Sequence, residues 1–352
     1  MERVLAWNTY DEAKKQEVFA FSEDYKRFIS VCKTERECVA ETIRMAEAKG
    51  YRNLDTLVAS NTPLKPGDKV YANNMGKTIA LFVIGSEPLE AGMKILGAHV
   101  DSPRLDIKQN PLYEDHDLAL LDTHYYGGVK KYQWVTLPLA LHGVVVLKDG
   151  TKVEVVIGEK EEDPVVGVSD LLIHLSADQL KKSGSEVVEG EDLNILVGSM
   201  PLDKEGSDQV KAMVLDILRK EYGFAEEDFL SAELEAVPAG KARDYGIDRS
   251  MIMGYGHDDR VCAYTSLMAM LEVETCDKTC VCLLVDKEEV GSIGATGMQS
   301  KFFENSVAEV MNLCGNYSEL GVRRALKNSK MLSSDVSAAY DPNYASVNEM
   351  KN

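Results

Sequence analysis

Apolar positions along the chain fall into two rhythms. Val39, Ile43 and Ala46 recur at helical spacing behind Thr34 and Glu37, a pair that makes a capping box, and Gly50 supplies the stop. Lys69 to Ala72 and Thr78 to Ile84 read as strands joined through Asn73-Asn-Met-Gly76, which predicts a hairpin, and Met93 to Ala98 reads as a third strand. Val281 to Val285 is a short continuous apolar run, the pattern of a buried strand. Val261 to Leu271 predicts a buried helix, and Ser306 to Leu313 another. Between these blocks, stretches around Leu141 to Leu147 and Lys152 to Ile157 are β-rich, and Val210, Met213, Val214 and Ile217 line one side of a helix near Asp208 to Tyr222.

The change of rhythm sets the domain organisation. Residues 1–105 and 246–352 read as two halves of one α/β domain, and residues 106–245, with short strands and frequent turns, read as a β-rich insert between them. At 352 residues, 45% hydrophobic and 28% charged, the chain has the makeup of a globular protein rather than a disordered one. A formal charge of −19 argues against nucleic acid or an anionic membrane surface as a partner, since both would repel it. No run approaches the ~20 apolar residues of a membrane span, and the N-terminal residues do not form a charged-then-apolar leader. The seven cysteines follow no framework spacing, so a reducing, cytoplasmic setting is expected, with Cys280 and Cys282 packing rather than ligating.

The candidate chemistry sits where apolar runs stop. Val281 to Val285 discharges into Glu288, Glu289 and Gly291; the third strand ends in His99-Val-Asp101-Ser-Pro103; Asp258 and Asp259 stand before the buried helix; Lys330-Met-Leu-Ser-Ser ends in Asp335. Strand ends in open α/β sheets project into a crevice that the sheet holds rigid. Of two neighbouring acids there, one can bind a divalent cation while the other acts as general base. In His99-Val-Asp101, the carboxylate two residues on faces the same side and is able to orient the imidazole. Taken singly, each motif has a bland reading: a solvated loop for Glu288-Glu289, an N-cap for one of Asp258 and Asp259. The tract Tyr125 to Trp134 and His174 read first as core or interface, and Arg260 and Lys287 as surface charge. Together, hard oxygen donors with one imidazole suit zinc, manganese or cobalt.

In order and spacing, His99-Val-Asp-Ser-Pro103, Asp258-Asp259, Asp286-Lys-Glu-Glu-Val-Gly-Ser292, Ser334-Asp335 and Asp341-Pro-Asn-Tyr344 resemble the aspartyl aminopeptidase family of dinuclear zinc metallopeptidases, over nearly the whole chain. The resemblance implies a mixed central sheet flanked by helices, with the insert mediating dimer formation and dimers building to a homododecamer. It implies that His99, Asp258 and Asp335 bind one zinc, and that Asp258 bridges to a second held also by Glu289. Glu288 would be the general base and Asp101 the residue that orients His99. The peptide between Asp258 and Asp259 would be cis. His174, in Ile173-His-Leu175, matches a residue that reaches a neighbouring subunit's active site. The implied reaction is removal of an N-terminal residue from peptides, Asp or Glu preferred, by metal-activated water.

One departure bears on this. The family's second zinc takes a further His near the C-terminus, and no His follows His257 here. The expectation is a chain lacking the C-terminal segment, with one tight zinc, a weaker second, and impaired turnover. A dinuclear amidohydrolase or deacylase and an inactive oligomeric homologue are the competing readings.

Overall fold

The computed structural model describes residues 4–348. Helix α1 (Glu12–Val31) starts where the Asp11 side chain accepts from the Lys14 N–H, and α2 (Glu35–Ala48) starts at the Thr34–Glu37 capping box read in the sequence. A two-residue strand β1 (Arg52–Asn53) leads into α3 (Leu54–Ala59). Then come the hairpin β2 (Lys69–Asn74) and β3 (Thr78–Val83), its turn pinned by the Gly76 N–H donating to Asn73, and β4 (Lys94–His99). Later in the chain, α5 (His257–Leu271), β13 (Cys280–Val285), α6 (Phe302–Leu313), α7 (Glu319–Asn328) and β14 (Lys330–Ser333) complete this half.

The first sheet runs β1-β2-β3-β13-β4-β14. It is mixed: β2, β3 and β13 pair antiparallel, whereas β13, β4 and β14 run parallel. Both faces are covered. Ile79, Leu81, Val83, Cys282 and Leu284 pack against α1, α2 and α5 on one side. Ala80, Phe82, Val281, Leu283 and Val285 pack against α3, α6 and α7 on the other. Alternate residues of β3 and β13 thus serve opposite cores, which is why these strands read as unbroken apolar runs. The fully buried Cys282 belongs to this packing. Because β13, β4 and β14 point the same way, their carboxyl ends open on one rim.

A second six-stranded sheet occupies the middle of the chain. Its members are β5 (Arg104–Asp115), β6 (Leu118–Tyr126), β7 (Leu139–Val146), β8 (Lys152–Ile157), β9 (Ile195–Gly198) and β10 (Ala232–Pro238), in the order β8-β7-β10-β5-β6-β9 and antiparallel throughout. Helix α4 (Gln209–Tyr222) lies on it through Val210 and Val214, at the place the apolar stripe predicts. A small ribbon, β11 (Arg243–Tyr245) with β12 (Met251–Met253), returns the chain to α5.

Buried charge ties the sheets together. Lys77, before β3, is 2.6 Å from the fully buried Glu35 and also contacts Glu233 of β10. Arg104 of β5 reaches Glu35 at 3.2 Å, Glu235 at 3.2 Å and Asp106 at 2.7 Å. Burial works against a charge on Glu35, but Arg104 and Lys77 outweigh it and hold the carboxyl at about 2.

His142 of β7 makes a second junction, 2.7 Å from Glu37 and 3.1 Å from Glu159. Burial lowers its pKa, yet the hydrogen bonds to Glu159 and Glu37 leave it raised above the usual imidazole value. A raised folded-state pKa stabilises fully below the unfolded value of about 6.5 and fades as pH climbs through the folded value. His142→Gln is therefore expected to flatten the loss of thermal stability as pH rises above about 6.5, as measured by Tm against pH. Parallel curves for variant and parent would contradict this.

Candidate metal centre

The rim gathers four segments. His99 is the last residue of β4, and its Nδ1 lies 3.0 Å from the Asp101 carbonyl and 3.3 Å from the Asp101 carboxylate. Both partners accept, so Nδ1 carries a proton, and Nε2, on the other side of the ring, faces the rim. That Nε2 is 3.2 Å from Asp258, 3.7 Å from Glu288 and 3.9 Å from Asp335. These acids come from the start of α5, the turn after β13 and the loop after β14. At this rim three ligand sets fall within 4.8 Å: His99 with Asp258 and Glu289; His99 with Glu288 and Asp335; and Asp258 with Asp259 and Asp335.

Local structure explains each placement. After β13, the buried Asp286 accepts from the Lys287 N–H at 2.8 Å and the Thr296 hydroxyl at 2.6 Å. Lys287 takes a left-handed conformation, φ 70°, and the chain swings Glu288 and Glu289 toward His99. Asp101 then accepts the Glu288 and Glu289 N–H groups, each at 3.2 Å, so one buried carboxylate holds the imidazole and the acidic turn together. The Asp258–Asp259 peptide is cis, and Ser102 donates to the Asp258 carbonyl at 2.7 Å.

Two sequence expectations are corrected here. Asp258 and Asp259 do not cap α5 with their side chains; Gly256 occupies the cap position, and both acids have non-helical backbone angles. Arg260 is not surface charge: it is buried, donating to the Val100 carbonyl at 3.1 Å and the Lys33 carbonyl at 2.9 Å. It fixes the start of α5 against the end of β4. Gly256 is required beside it, since a Cβ there would sit 2.1 Å from the guanidinium, at φ 83°. Lys287 is half-buried, its Nζ 5.7 Å from the Tyr126 ring centre. His174 lies in an exposed turn between Ile173 and Leu175 and joins none of the ligand groups among the described residues.

The sequence pointed to the Asp258–Asp259 pair without a separate role for Asp259, and to Tyr126 only within an aromatic tract read first as core or interface. Asp259 is buried beside Asp258, and its carboxyl is pushed up to about 6, chiefly by burial. Tyr126, at the end of β6, donates to Asp101 at 2.6 Å.

Electrostatics test whether the donors suit a cation. Burial lowers the His99 pKa, but Asp101, Asp259 and Glu288 push it up to about 9. Burial and then Asp258 push the Glu289 carboxyl up to about 7. Carboxylates thus crowd one imidazole without a compensating metal charge, and a divalent ion would relieve all of them. One nitrogen with several oxygens at these separations fits zinc.

A cation-binding crevice at the carboxyl rim of a mixed α/β sheet is the arrangement of a metallohydrolase. Residues 28–352 match the family model described as aminopeptidase I zinc metalloprotease (M18), and the chain belongs to that family. It is 66% identical over 348 residues to the probable M18 family aminopeptidase 1 of Clostridium acetobutylicum, covering 99% of this chain and 75% of the relative. The crystal structure of an M18 family aminopeptidase from Thermotoga maritima superposes with a TM-score of 0.93 at 42% identity, covering 100% of this chain and 76% of that one. A more distant likeness in fold alone, TM-score 0.73 at 21% identity over 94% of this chain and 74% of the other, is to the mApe1 dodecamer of S. cerevisiae. The membership makes the chain a hydrolase of the zinc aminopeptidase class. Among the described residues, no helix is long and apolar enough to cross a membrane.

Proposed function

We propose that this rim removes single N-terminal residues from peptides, with His99, Asp258 and Asp335 holding one zinc and Asp258 and Glu289 a second. The observation that carries this is the approach of the His99 Nε2 to carboxylates from three separate elements. When bound, the zinc pair supplies an activated water and polarises the scissile carbonyl. Glu288, with its carboxylate 46% exposed at the rim and its backbone N–H fixed by Asp101, takes the proton of the attacking water and returns it to the departing amine. Asp101 keeps His99 in the tautomer that leaves Nε2 free.

The first position has three protein donors and the second two, so one zinc binds tightly and the other more weakly. Manganese or cobalt would fill the same donors. The middle unit, residues 106–245 between 1–105 and 246–352, is proposed as a dimerisation unit whose dimers build a larger homo-oligomer, with His174 serving a neighbouring subunit. The exposed run of Leu171, Leu172, Ile173 and Leu175 supports this. The seven free cysteines support a reducing, cytoplasmic setting.

Acidic N-terminal residues are the proposed preference. Fluorogenic Asp, Glu, Leu and Lys aminoacyl substrates, assayed beside their N-acylated forms in zinc, test the reaction. Turnover is expected for the free amines, greatest for Asp and Glu, and none once the amine is acylated. Cleavage of the N-acyl compounds in preference would establish a deacylase instead.

A further inference from the structure

We propose that Tyr126 is a positioning residue of the metal centre, contributed by the second sheet, which acts by holding Asp101. The proposal rests on the reading of the centre given above.

Asp101 is completely buried, and its carboxylate is shared by four donors. Oδ1 meets the His99 Nδ1 at 3.3 Å and the Glu288 N–H at 3.2 Å; Oδ2 meets the Glu289 N–H at 3.2 Å and the Tyr126 hydroxyl at 2.6 Å. Three of these donors belong to the first sheet and its loops. The shortest contact comes from β6. Without it, Oδ2 would retain only one N–H, and a buried carboxylate short of a donor is costly and free to turn. A turn of Asp101 would release the imidazole and the Glu288–Glu289 peptide together.

The tyrosine is itself clamped. The Arg104 guanidinium lies 3.8 Å from the centre of its ring, and Arg104 is anchored in the buried charge junction with Glu35 and Glu235. Burial, Asp101 and the hydrogen bond to it raise the phenol pKa far above its ordinary value, so the hydroxyl stays a donor. The next residue approaches the acidic turn as well: a Cβ on Gly127, φ 72°, would lie 3.2 Å from a Glu289 carboxylate oxygen and 3.3 Å from its Cβ. The end of β6 therefore contacts the residue that orients His99, and the glycine that follows leaves the space beside Glu289 that a larger side chain would crowd. A tyrosine there for packing alone would not need to aim its hydroxyl at Asp101.

Tyr126→Phe removes the hydroxyl and keeps the ring beneath Arg104; Tyr126→Leu removes both. Two readouts on the full chain separate the roles: amide hydrogen exchange of residues 286–291 without metal, and zinc affinity by competition with a chromophoric chelator. Tyr126→Phe is expected to speed exchange at the Glu288 and Glu289 amides and weaken zinc binding by about 10- to 100-fold with circular dichroism unchanged. In turnover, kcat falls while KM moves little. Tyr126→Leu adds a drop in Tm. Exchange and zinc affinity both matching the parent in Tyr126→Phe would overturn the proposal. Faster exchange in a chain whose parent form takes up no zinc would uphold the positioning role and sink the reading of the centre.

Discussion

Glu288→Gln is expected to lower kcat by about 10²- to 10⁴-fold while zinc content stays at the parent level. The amide has nearly the same shape as the carboxylate, and the backbone N–H of residue 288 still donates to Asp101, so the turn should keep its place. What is lost is the capacity to accept a proton at pH 7. KM should change little, because Glu288 is assigned to proton transfer rather than to substrate binding. Steady-state kinetics with metal analysis of the same preparation checks this. A variant retaining a tenth or more of the parent kcat would remove Glu288 from the role of base.

Asp258→Ala is expected to be the most damaging change to metal binding, weakening zinc by more than the 10- to 100-fold typical of residues that only support a ligand. Its carboxylate lies nearest the His99 Nε2, at 3.2 Å, and belongs to ligand groups on both sides, with Glu289 and with Asp335. Losing it would take a donor from both proposed positions rather than one. Ligand binding to the folded form alone raises Tm by mass action, so added zinc should stabilise the parent and leave Asp258→Ala almost unmoved. Calorimetric scans with and without zinc after chelator treatment provide the measurement. Equal zinc-induced shifts in the two proteins would show that Asp258 is not a ligand.

The sequence carried much of this arrangement where local rules decide. The capping box before α2, the Asn73–Gly76 turn and the apolar runs of β3 and β13 are short-range signals, and each element formed where they put it. That apolar strands end in His99, the Glu288–Glu289 turn and Asp335 was likewise legible, because strand direction alone aims those residues at one rim. Contacts between distant segments left no such trace. Arg260 and Lys77 look like any surface cation until the carbonyls and carboxylates that bury them are seen. Tyr126 sits in an aromatic tract that reads as packing, and only the fold turns its hydroxyl toward Asp101. Asp259 is hidden for a related reason: nothing in a pair of aspartates says which one faces solvent and which is enclosed.

The junction of Glu35, Lys77, Arg104, Glu233 and Glu235 has a consequence for engineering a smaller enzyme. Trimming away residues 106–245 would remove Glu233 and Glu235 and leave Lys77 and Arg104 with Glu35 as their shared carboxylate beside a vacated wall, and removing partners from a buried charge network costs several kcal/mol. A minimised protein would have to replace those charges with well-packed apolar side chains in the same step, and it would forfeit the support that Tyr126 lends to Asp101. The two lobes are, in that sense, one indivisible machine whose spare parts are not interchangeable.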